Sequence, residues 1–221
     1  MTPRILAHRG ASGYEFENSL AAFREARRLG ATGVELDIHA SADGALIVHH
    51  DTEIEGAGAI GSLRLEEIRA VRLPNGEAIP TLLEALEACL GLEVWIELKC
   101  LPPALDDTLL AAVSGGDPAL IGVHAFDHRI IARLGGQRPG LRRGILSVSY
   151  PLDPVAPMVA VGATALWQEW HLIDSELVHA VHRTGGEVVA WTVPDATVAA
   201  RLAELGVDAL CGNYPDRLRI R

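Results

Sequence analysis

Three short apolar segments of the sequence carry charged side chains at their carboxyl ends, where an unpaired charge is costly to bury. In chain order these charged or titratable residues are His8, Arg9, Glu35, Asp37, Glu97 and Lys99. Glu35 and Asp37 stand two residues apart, as do Glu97 and Lys99, so in a strand each pair points to one face. Three carboxylates are hard oxygen ligands that suit Mg²⁺ or Ca²⁺. We therefore expect a divalent-cation site at Glu35, Asp37 and Glu97, with structural ion pairs as the alternative.

Short apolar strands alternate with amphipathic helical segments along the chain, a pattern that favours a parallel sheet. Asn18, Asp174 and Asp195 are placed to cap helices. The predicted strands are Ile5–His8, Gly33–Ile38, Leu46–His49, Glu93–Leu98, Leu120–Ala125, Arg143–Ser147, Ala163–Trp167, Glu187–Trp191 and Asp208–Cys211. We predict an α/β fold, a (β/α)₈ TIM barrel, with a doubly wound open sheet as second choice. A barrel gathers the strand ends, and thus the charged residues, at one mouth.

One predicted strand does not fit the alternation of strands and helices. Leu46–His49 follows Gly33–Ile38 too closely for a parallel crossover, which needs a dozen or more residues. Between the two lies Asp43-Gly44, a strong two-residue hairpin signal. We predict a short antiparallel hairpin inserted after the second strand and eight parallel strands elsewhere. The alternative is that Leu46–His49 is itself a barrel strand.

A two-residue turn in this hairpin also predicts which histidine belongs to the site. It places Asp37 opposite His50 and Ile38 opposite His49, and opposing residues share a face. His50 then joins the carboxylates, whereas His49 packs among apolar side chains. A slip of one residue would exchange the two histidines.

The gathered residue types suit phosphoryl transfer. A divalent cation, with Arg9 and Lys99, would neutralise the phosphate oxygens. His8 and His50 could act as base for the attacking hydroxyl and acid for the leaving alkoxide. A Schiff-base aldolase that uses Lys99 is a rival from another reaction class, although it leaves the carboxylates and His50 unexplained. A non-catalytic binding barrel is a further rival.

Composition limits the partners. The 221 residues include 19 basic and 29 acidic side chains, a formal net charge of −10, which disfavours nucleic acid and anionic membranes. The longest apolar run, 155–167, is short of the ~20 residues that a membrane helix needs. The three cysteines are scattered along the sequence, which favours free thiols in a reducing compartment. With no apolar leader after Met1, we expect a cytoplasmic protein with a small-molecule substrate and no stable membrane insertion.

The order and spacing of several short motifs are similar to those of the glycerophosphodiester phosphodiesterase family, over nearly the whole chain. The motifs are His8-Arg9-Gly10, Glu17-Asn18-Ser19, Glu35-Leu36-Asp37, Val48-His49-His50-Asp51, Ile79-Pro80-Thr81-Leu82, Glu97-Leu98-Lys99, Trp191-Thr192-Val193 and Tyr214-Pro215-Asp216. The resemblance implies a single (β/α)₈ barrel domain over residues 1–221. It also implies metal-dependent cleavage of glycerophosphodiesters to glycerol phosphate and an alcohol, through a cyclic phosphate or by direct attack of water.

The resemblance also implies roles for single residues. The acid/base pair would be His8 and His50. The metal ligands would be Glu35, Asp37 and Glu97, with Mg²⁺ as the first expectation and Ca²⁺ as the alternative. Arg9 and Lys99 would hold phosphate, and Trp191 would line the substrate pocket. A lysophospholipase-D-like or phosphoinositide-type phosphodiesterase could use the same residues on a lipid substrate.

The chain departs from the family pattern at two places near the closing motifs. Pro194 follows Trp191-Thr192-Val193, where the family usually has asparagine. Asn213 stands where the family usually has aspartate, so a carboxylate is missing at the last strand end. Neither change touches the proposed metal ligands.

Overall fold

Strands and helices alternate along most of the chain in the computed structural model, which describes residues 2–220. The end points of the predicted domain, Met1 and Arg221, lie outside these residues. The strands are β1 (Arg4–His8), β2 (Gly33–Ala40), β3 (Leu46–Val48), β4 (Glu53–Ile54), β5 (Gly58–Ala59), β6 (Glu93–Leu98), β7 (Ile121–Ala125), β8 (Arg142–Ser147), β9 (Ala165–Glu169), β10 (Glu187–Trp191) and β11 (Ala209–Gly212). The α-helices are α1 (Leu20–Arg28), α2 (Leu65–Ala70), α3 (Leu82–Ala88), α4 (Asp106–Val113), α5 (His128–Gln137), α6 (Ala156–Ala160), α7 (Ser175–Arg183) and α8 (Ala196–Leu205).

Eight strands within residues 2–220 run parallel and close into a barrel. Their order is β1-β2-β6-β7-β8-β9-β10-β11, and β11 pairs with β1 again. Because β1 has a partner on both sides, the sheet has no open edge at this point, and the doubly wound alternative is wrong. The predicted (β/α)₈ barrel with a hairpin after its second strand is confirmed.

Side-chain caps start several of the helices. Asp174 and Asp195 accept hydrogen bonds from the first backbone N–H groups of α7 and α8, as predicted. The predicted cap of α1 is wrong by one residue, because the Ser19 hydroxyl, not the Asn18 side chain, accepts from Ala22 N–H at 3.1 Å. None of the helices described here is long and apolar enough to cross a bilayer.

A ring of ion-paired side chains closes the amino-terminal end of the barrel. The first residues of β1, β6, β8 and β10 form what we call the basal ring, Arg4, Glu93, Arg142 and Glu187. Arg4 and Arg142 each contact Glu93, at 2.5 and 2.7 Å, and each also contacts Glu187. Trp95 Nε1–H donates a further hydrogen bond to Glu93 at 2.8 Å. Side chains from alternate strands thus fill the barrel in a layer, as in other (β/α)₈ barrels.

Two tryptophan rings fill the barrel between the basal ring and the mouth. Trp95 and Trp167 are fully buried and meet edge to face, with ring centroids 5.3 Å apart. Glycines on β7 and β8 leave room for them. A Cβ atom at Gly122 would lie 2.7 Å from the Trp95 ring, and one at Gly144 would lie 3.0 Å from the Trp167 ring.

The hairpin forms, but its predicted register is wrong by one residue. Ile38 pairs with Val48 rather than with His49, and β3 ends at Val48. The turn holds three residues, 42–44, instead of two: Ser41 C=O accepts from Gly44 N–H at 3.1 Å, and Gly44 has a φ of +83°. A type I turn followed by a left-handed glycine is a common three-residue hairpin loop. It shifts the pairing by one position relative to a two-residue turn.

A small second sheet that the sequence did not predict follows the hairpin. Here β4 and β5 pair antiparallel. Together with Ile47 of β3, the segment between β3 and α3 forms its own apolar cluster, whose other members are Ile54, Ile60, Ile68, Leu73 and Ile79. These residues are spaced at neither the strand period nor the helix period, so no pattern predicts the element. The sheet lies beside the barrel mouth, where its backbone borders a groove that reaches Lys99.

Candidate active site

A cavity of about 110 Å³ lies at the mouth of the barrel, among the carboxyl ends of its strands. Its lining residues are His8, Arg9, Glu35, His50, Glu97, Lys99, His124, Phe126, Leu146, Trp167 and Trp191. The set includes every residue predicted for the site except Asp37, which is fully buried next to it. The fold therefore brings the residues that were predicted from the sequence together around one cavity.

The three carboxylates form one cluster. Glu35 and Asp37 alternate along β2, and Asp37 is the register partner of Glu97 on the neighbouring strand β6. One oxygen atom of each lies within 4.8 Å of the others, and all three side chains are buried. This is the geometry that the period-two spacing predicted.

Two cations are held against this cluster. Lys99 Nζ bridges Asp37 at 2.9 Å and Glu97 at 2.8 Å. Arg9 Nε lies 3.2 Å from Asp37, while its Nη1 donates to Glu17 at 2.9 Å. Burial alone would raise the pKa of Asp37, but Lys99 and Arg9 hold it at about 2. Asp37 is thus the carboxylate that is ionised without any added ion.

Asn18 holds Asp37 from a third side. Its Nδ2–H donates to Asp37 Oδ2 at 2.8 Å, and its Oδ1 accepts from Asp37 N–H at 3.3 Å. Arg9 and Asn18 both have a φ of +55°, a left-handed conformation that side-chain-bearing residues seldom adopt. Both of these residues contact Asp37, so local backbone strain is concentrated at the residues that fix this carboxylate.

The other two carboxylates lack sufficient positive charge. Burial and the neighbouring carboxylates raise the pKa of Glu35 well above its usual value. Burial and the Asp37 charge raise the pKa of Glu97 to about 7. A divalent cation would supply the missing charge, and three buried carboxylate oxygens are ligands that Mg²⁺ and Ca²⁺ accept. The donor set therefore fits the predicted cation.

His8 is oriented by the residue that departs from the family pattern. Asn213 Oδ1 accepts a hydrogen bond from His8 Nδ1–H at 2.8 Å, which leaves Nε2 with the free lone pair. That Nε2 lies 4.0 Å from Glu35. Burial and the Arg9 charge lower the pKa of His8 to about 4, so its ring is neutral at pH 7 and can accept a proton.

His50 lines the cavity although the predicted register was wrong. β3 ends at Val48, so strand pairing no longer sets the direction of the side chains that follow. His50 Nδ1–H donates to the Asp51 carboxylate at 2.8 Å. His49 is not a buried packing residue, as the register implied; it is half-buried and forms a hydrogen bond with Asp51 C=O at 3.0 Å.

No site role was predicted for His124, Asn18 or Asn213, although Asn18 and Asn213 lie in or beside motifs that the sequence showed. His124 on β7 is fully buried at the floor of the cavity, and Asn18 and Asn213 act through partners distant in the sequence. Burial lowers the pKa of His124 to about 3, so this ring is also neutral at pH 7. Trp191 forms a wall of the cavity against Phe126, with ring centroids 5.6 Å apart.

An open groove adjoins the cavity. It has a volume of about 950 Å³ and is lined by residues 51–58, which include β4 and the first residue of β5, together with His39, His50 and Lys99. His50 and Lys99 line both spaces. The site therefore has a small cavity and a larger, more open groove, which meet at these two residues.

The Glycerophosphoryl diester phosphodiesterase family matches residues 8–217 of this chain. A glycerophosphodiester phosphodiesterase of Caldanaerobacter subterraneus subsp. tengcongensis is 30% identical over 235 residues, which cover 99% of this chain and 97% of that protein. An Oleispira antarctica phosphodiesterase, solved with the product sn-glycerol-3-phosphate, is 26% identical with a TM-score of 0.87, and the match covers 98% of this chain and 95% of that one. A Galdieria sulphuraria structure shares the fold with a TM-score of 0.90 at 24% identity, over 99% and 96% of the two chains.

Proposed function

The chain belongs to the glycerophosphoryl diester phosphodiesterase family and is a glycerophosphodiester phosphodiesterase, and on that premise we propose how its own residues divide the reaction. One observation carries the proposal: His8, His50, Glu35, Glu97, Arg9 and Lys99 line one cavity of about 110 Å³, and the third carboxylate of the cluster, Asp37, is buried beside it. We propose that the chain is a single barrel domain that carries this site. The products are glycerol phosphate and an alcohol, in keeping with the product bound to the Oleispira antarctica relative.

Glu35, Asp37 and Glu97 would hold a divalent cation, with Mg²⁺ as the first expectation and Ca²⁺ as the alternative. When bound, the cation neutralises charge on the phosphate and stabilises the further charge of the transition state. Lys99 and Arg9 bring fixed positive charge to the same place, so the phosphate group binds between these cations and the histidines.

The two parts of the site fit the two ends of the substrate. The glycerol end, which all glycerophosphodiesters share, lies in the small cavity beside His8 and Trp191. The alcohol, which differs among substrates, lies in the open groove beyond His50. The phosphorus atom is then held where cavity and groove meet, at His50 and Lys99.

His8 is the base in the first step. Its neutral Nε2 takes the proton of the neighbouring glycerol hydroxyl, whose oxygen attacks phosphorus. The bond from phosphorus to the alcohol oxygen breaks, and His50, whose Nδ1–H donates to Asp51, gives the proton of its Nε2 to the departing alkoxide. In the second step the roles are reversed: a water oxygen attacks the phosphorus of the cyclic phosphate and His50 takes its proton. The bond from phosphorus to the glycerol oxygen that attacked in the first step breaks, and His8 returns its proton to that oxygen. Direct attack by water in a single step is the variant.

The lining of the groove favours a small polar alcohol over a lysophospholipid. Asp51, Glu53 and Glu55 border it, and an acyl chain gains nothing from charged neighbours. The aldolase alternative conflicts with the state of Lys99. Burial lowers the pKa of Lys99, but Asp37 and Glu97 raise it by more, so the amine stays protonated and is not a nucleophile.

A panel of glycerophosphodiesters with choline, ethanolamine, glycerol and inositol as alcohols tests the substrate class, with a lysophospholipid and an aldol substrate as controls. We expect turnover of the diesters with Mg²⁺ or Ca²⁺ and none after exhaustive chelation. Activity that survives chelation and dialysis would contradict the cation site. Borohydride trapping of a substrate adduct on Lys99 would support the aldolase.

The assignment of His50 as acid is tested with two leaving groups. On glycerophosphocholine we expect His8→Ala and His50→Ala each to lower kcat by about 10²–10⁴. In the first-turnover release of 4-nitrophenolate from the diester of glycerol phosphate with 4-nitrophenol, the leaving oxygen needs no proton, so His50→Ala regains most of the parent's rate of release and His8→Ala does not. Equal losses of the two variants on both substrates would overturn the assignment.

The cellular setting stays part of the proposal. Cys89, Cys100 and Cys211 are free thiols, which suits a cytoplasmic, reducing location. Turnover of small water-borne diesters at an acidic protein requires neither nucleic acid nor stable membrane insertion. The reaction belongs to glycerol metabolism and to the lipid metabolism that releases glycerophosphodiesters.

A further inference from the structure

His124 lies where a purely structural residue would be apolar. It is in the middle of β7, is 1% exposed and packs on Trp167 and Trp95, with ring centroids 4.2 and 5.6 Å away. Among residues 2–220, neither of its ring nitrogens has a hydrogen-bond partner. A buried donor or acceptor without a partner destabilises the fold. The rings that it packs against, Trp95 and Trp167, are apolar surfaces, so packing alone does not account for a polar ring here.

Glu35, the carboxylate that faces His124, can accept a further hydrogen bond. Glu35 Oε1 lies 3.8 Å from His124 Nε2, beyond hydrogen-bond range. The hydrogen bond that Glu35 accepts comes from Arg9 N–H to its other oxygen, Oε2, at 3.2 Å. Asp37 differs, since Asn18, Lys99 and Arg9 all contact its carboxylate. Glu35 Oε1 can therefore accept a further hydrogen bond, and the ring N–H of His124 that faces it is available to donate one.

The barrel fixes this arrangement. Glu35 is on β2 and His124 is on β7, and β6 lies between them. Inward side chains of alternate strands meet in one layer of a (β/α)₈ barrel. His124 and Glu35 therefore face each other across the floor of the cavity, and a shift of about 1 Å brings them to hydrogen-bond distance.

We propose that His124 is a positioning residue for the cation site, whose ring N–H donates to Glu35 Oε1 and holds that carboxylate in its ligating orientation. The inference rests on the proposed function, because it requires Glu35 to be a ligand. Groups that hold a metal ligand from behind typically contribute 10- to 100-fold to metal affinity.

The test is the affinity for Mg²⁺ and Ca²⁺, measured by calorimetric titration of the metal-free protein without substrate. We expect His124→Phe to weaken cation binding by about 10- to 100-fold. His124→Gln, which keeps an N–H donor, should restore most of the affinity. The melting temperature of metal-free His124→Phe should equal or exceed that of the parent, because an unpaired polar group has been removed. His182→Gln, on the outside of α7, is the control and should leave the affinity unchanged.

Activity gives an independent readout. In His124→Phe the cation concentration for half-maximal activity should rise by the same factor, with kcat at saturating cation within a few-fold of the parent. His124→Met is the substitute should the phenylalanine variant not fold. Parent-like cation affinity in either apolar variant overturns the inference. So does a raised KM at saturating cation with unchanged cation affinity, which would make His124 a substrate contact. If the parent chain binds no divalent cation, the proposed cation site itself fails, and the two failures are distinct.

Discussion

At the scale of single residues, Asp37 and Glu97 are register partners whose charges the protein treats in opposite ways. Lys99 and Arg9 hold the pKa of Asp37 at about 2 despite its burial, whereas burial and Asp37 raise the pKa of Glu97 to about 7. Asp37 is therefore needed to balance two cations even when no ion is bound. Glu97 is ionised at neutral pH only at a cost to the fold.

This difference predicts opposite effects of two substitutions on the metal-free protein. At pH 8, Asp37→Asn should lower the melting temperature because it leaves Lys99 and Arg9 without their shared anion. Glu97→Gln should raise it because it removes a carboxylate that is buried and repelled. Calorimetric melting of the chelated proteins measures both. Two shifts of the same sign would contradict this account.

The pH dependence of stability follows the same logic. The folded state keeps a proton on Glu97 up to about pH 7, whereas the unfolded chain loses it near the usual glutamate value. Between these values the folded state binds more protons, so the free energy of unfolding of the parent falls as pH rises. In Glu97→Gln this part of the fall should be absent, and melting curves of both proteins from pH 4 to pH 8 measure the difference.

Asn213 should set the acid limit of activity through His8. A base must be neutral to act, so activity falls as pH drops below its pKa, and the pKa of His8 is about 4. Asn213→Asp restores the aspartate that is usual in the family and places a negative charge 2.8 Å from His8 Nδ1. We expect the acid limb of kcat/KM to move up by about 1–3 pH units. Asp216→Asn, which loses only an exposed contact with Tyr14, is the control, and an unmoved acid limb in Asn213→Asp would separate Asn213 from His8.

The site residues that could be predicted from the sequence differ in one physical respect from those that could not. Glu35 and Asp37 show themselves by period-two spacing within an apolar strand. His124 also lies in an apolar strand, but the partner that gives it meaning, Glu35, is two barrel strands away. Asn213 likewise contacts His8 across the closure of the barrel. Local spacing reveals pairs on one strand and says nothing about pairs that the barrel creates.

At the scale of elements, the hairpin shows how His50 could be predicted to lie at the cavity although the predicted strand register was wrong. Asp-Gly suits both a two-residue turn and the last two positions of a three-residue loop, so the sequence does not fix the pairing. The structure has the longer loop, and Ile38 pairs with Val48. His50 still reaches the cavity because β3 ends two residues before it. The order of strands was predictable from apolar runs, whereas the register depended on the turn.

The two adjacent histidines should therefore differ in activity but hardly in stability. His50→Ala should lower kcat by about 10²–10⁴ with a smaller effect on KM, because the proton transfer proposed for His50 takes place only in the transition state. His49→Ala removes a half-buried ring with one hydrogen bond to a backbone carbonyl and should stay within about 1 kcal/mol of the parent in stability, with parent-like kcat. Steady-state kinetics and melting of both variants decide the matter. An inactive His49→Ala would exchange the roles.

At the scale of the whole molecule, chemistry and stability lie at opposite ends of the same strands. β6 carries both: Glu93, its first residue, belongs to the basal ring, and Glu97, four residues on, belongs to the carboxylate cluster. Alternation along the chain was enough to predict the barrel and its mouth. The basal ring was not predicted, because its members are single charges at the starts of four strands and are brought together by closure alone.

This division predicts that two like substitutions on β6 separate the two properties. Glu93 accepts from Arg4, Arg142 and Trp95, so Glu93→Gln weakens charged hydrogen bonds and should cost about 1.5–3 kcal/mol of stability. For a chain of this size that is a fall in melting temperature of roughly 3–12 °C. The kcat of the folded fraction should stay unchanged, since no atom of the basal ring reaches the cavity. Glu97→Gln should do the reverse and lose cation affinity and turnover without lowering the melting temperature of the metal-free protein. A kcat of folded Glu93→Gln well below that of the parent would contradict this prediction. It would mean that the two ends of the barrel are coupled through the layer of Trp95 and Trp167.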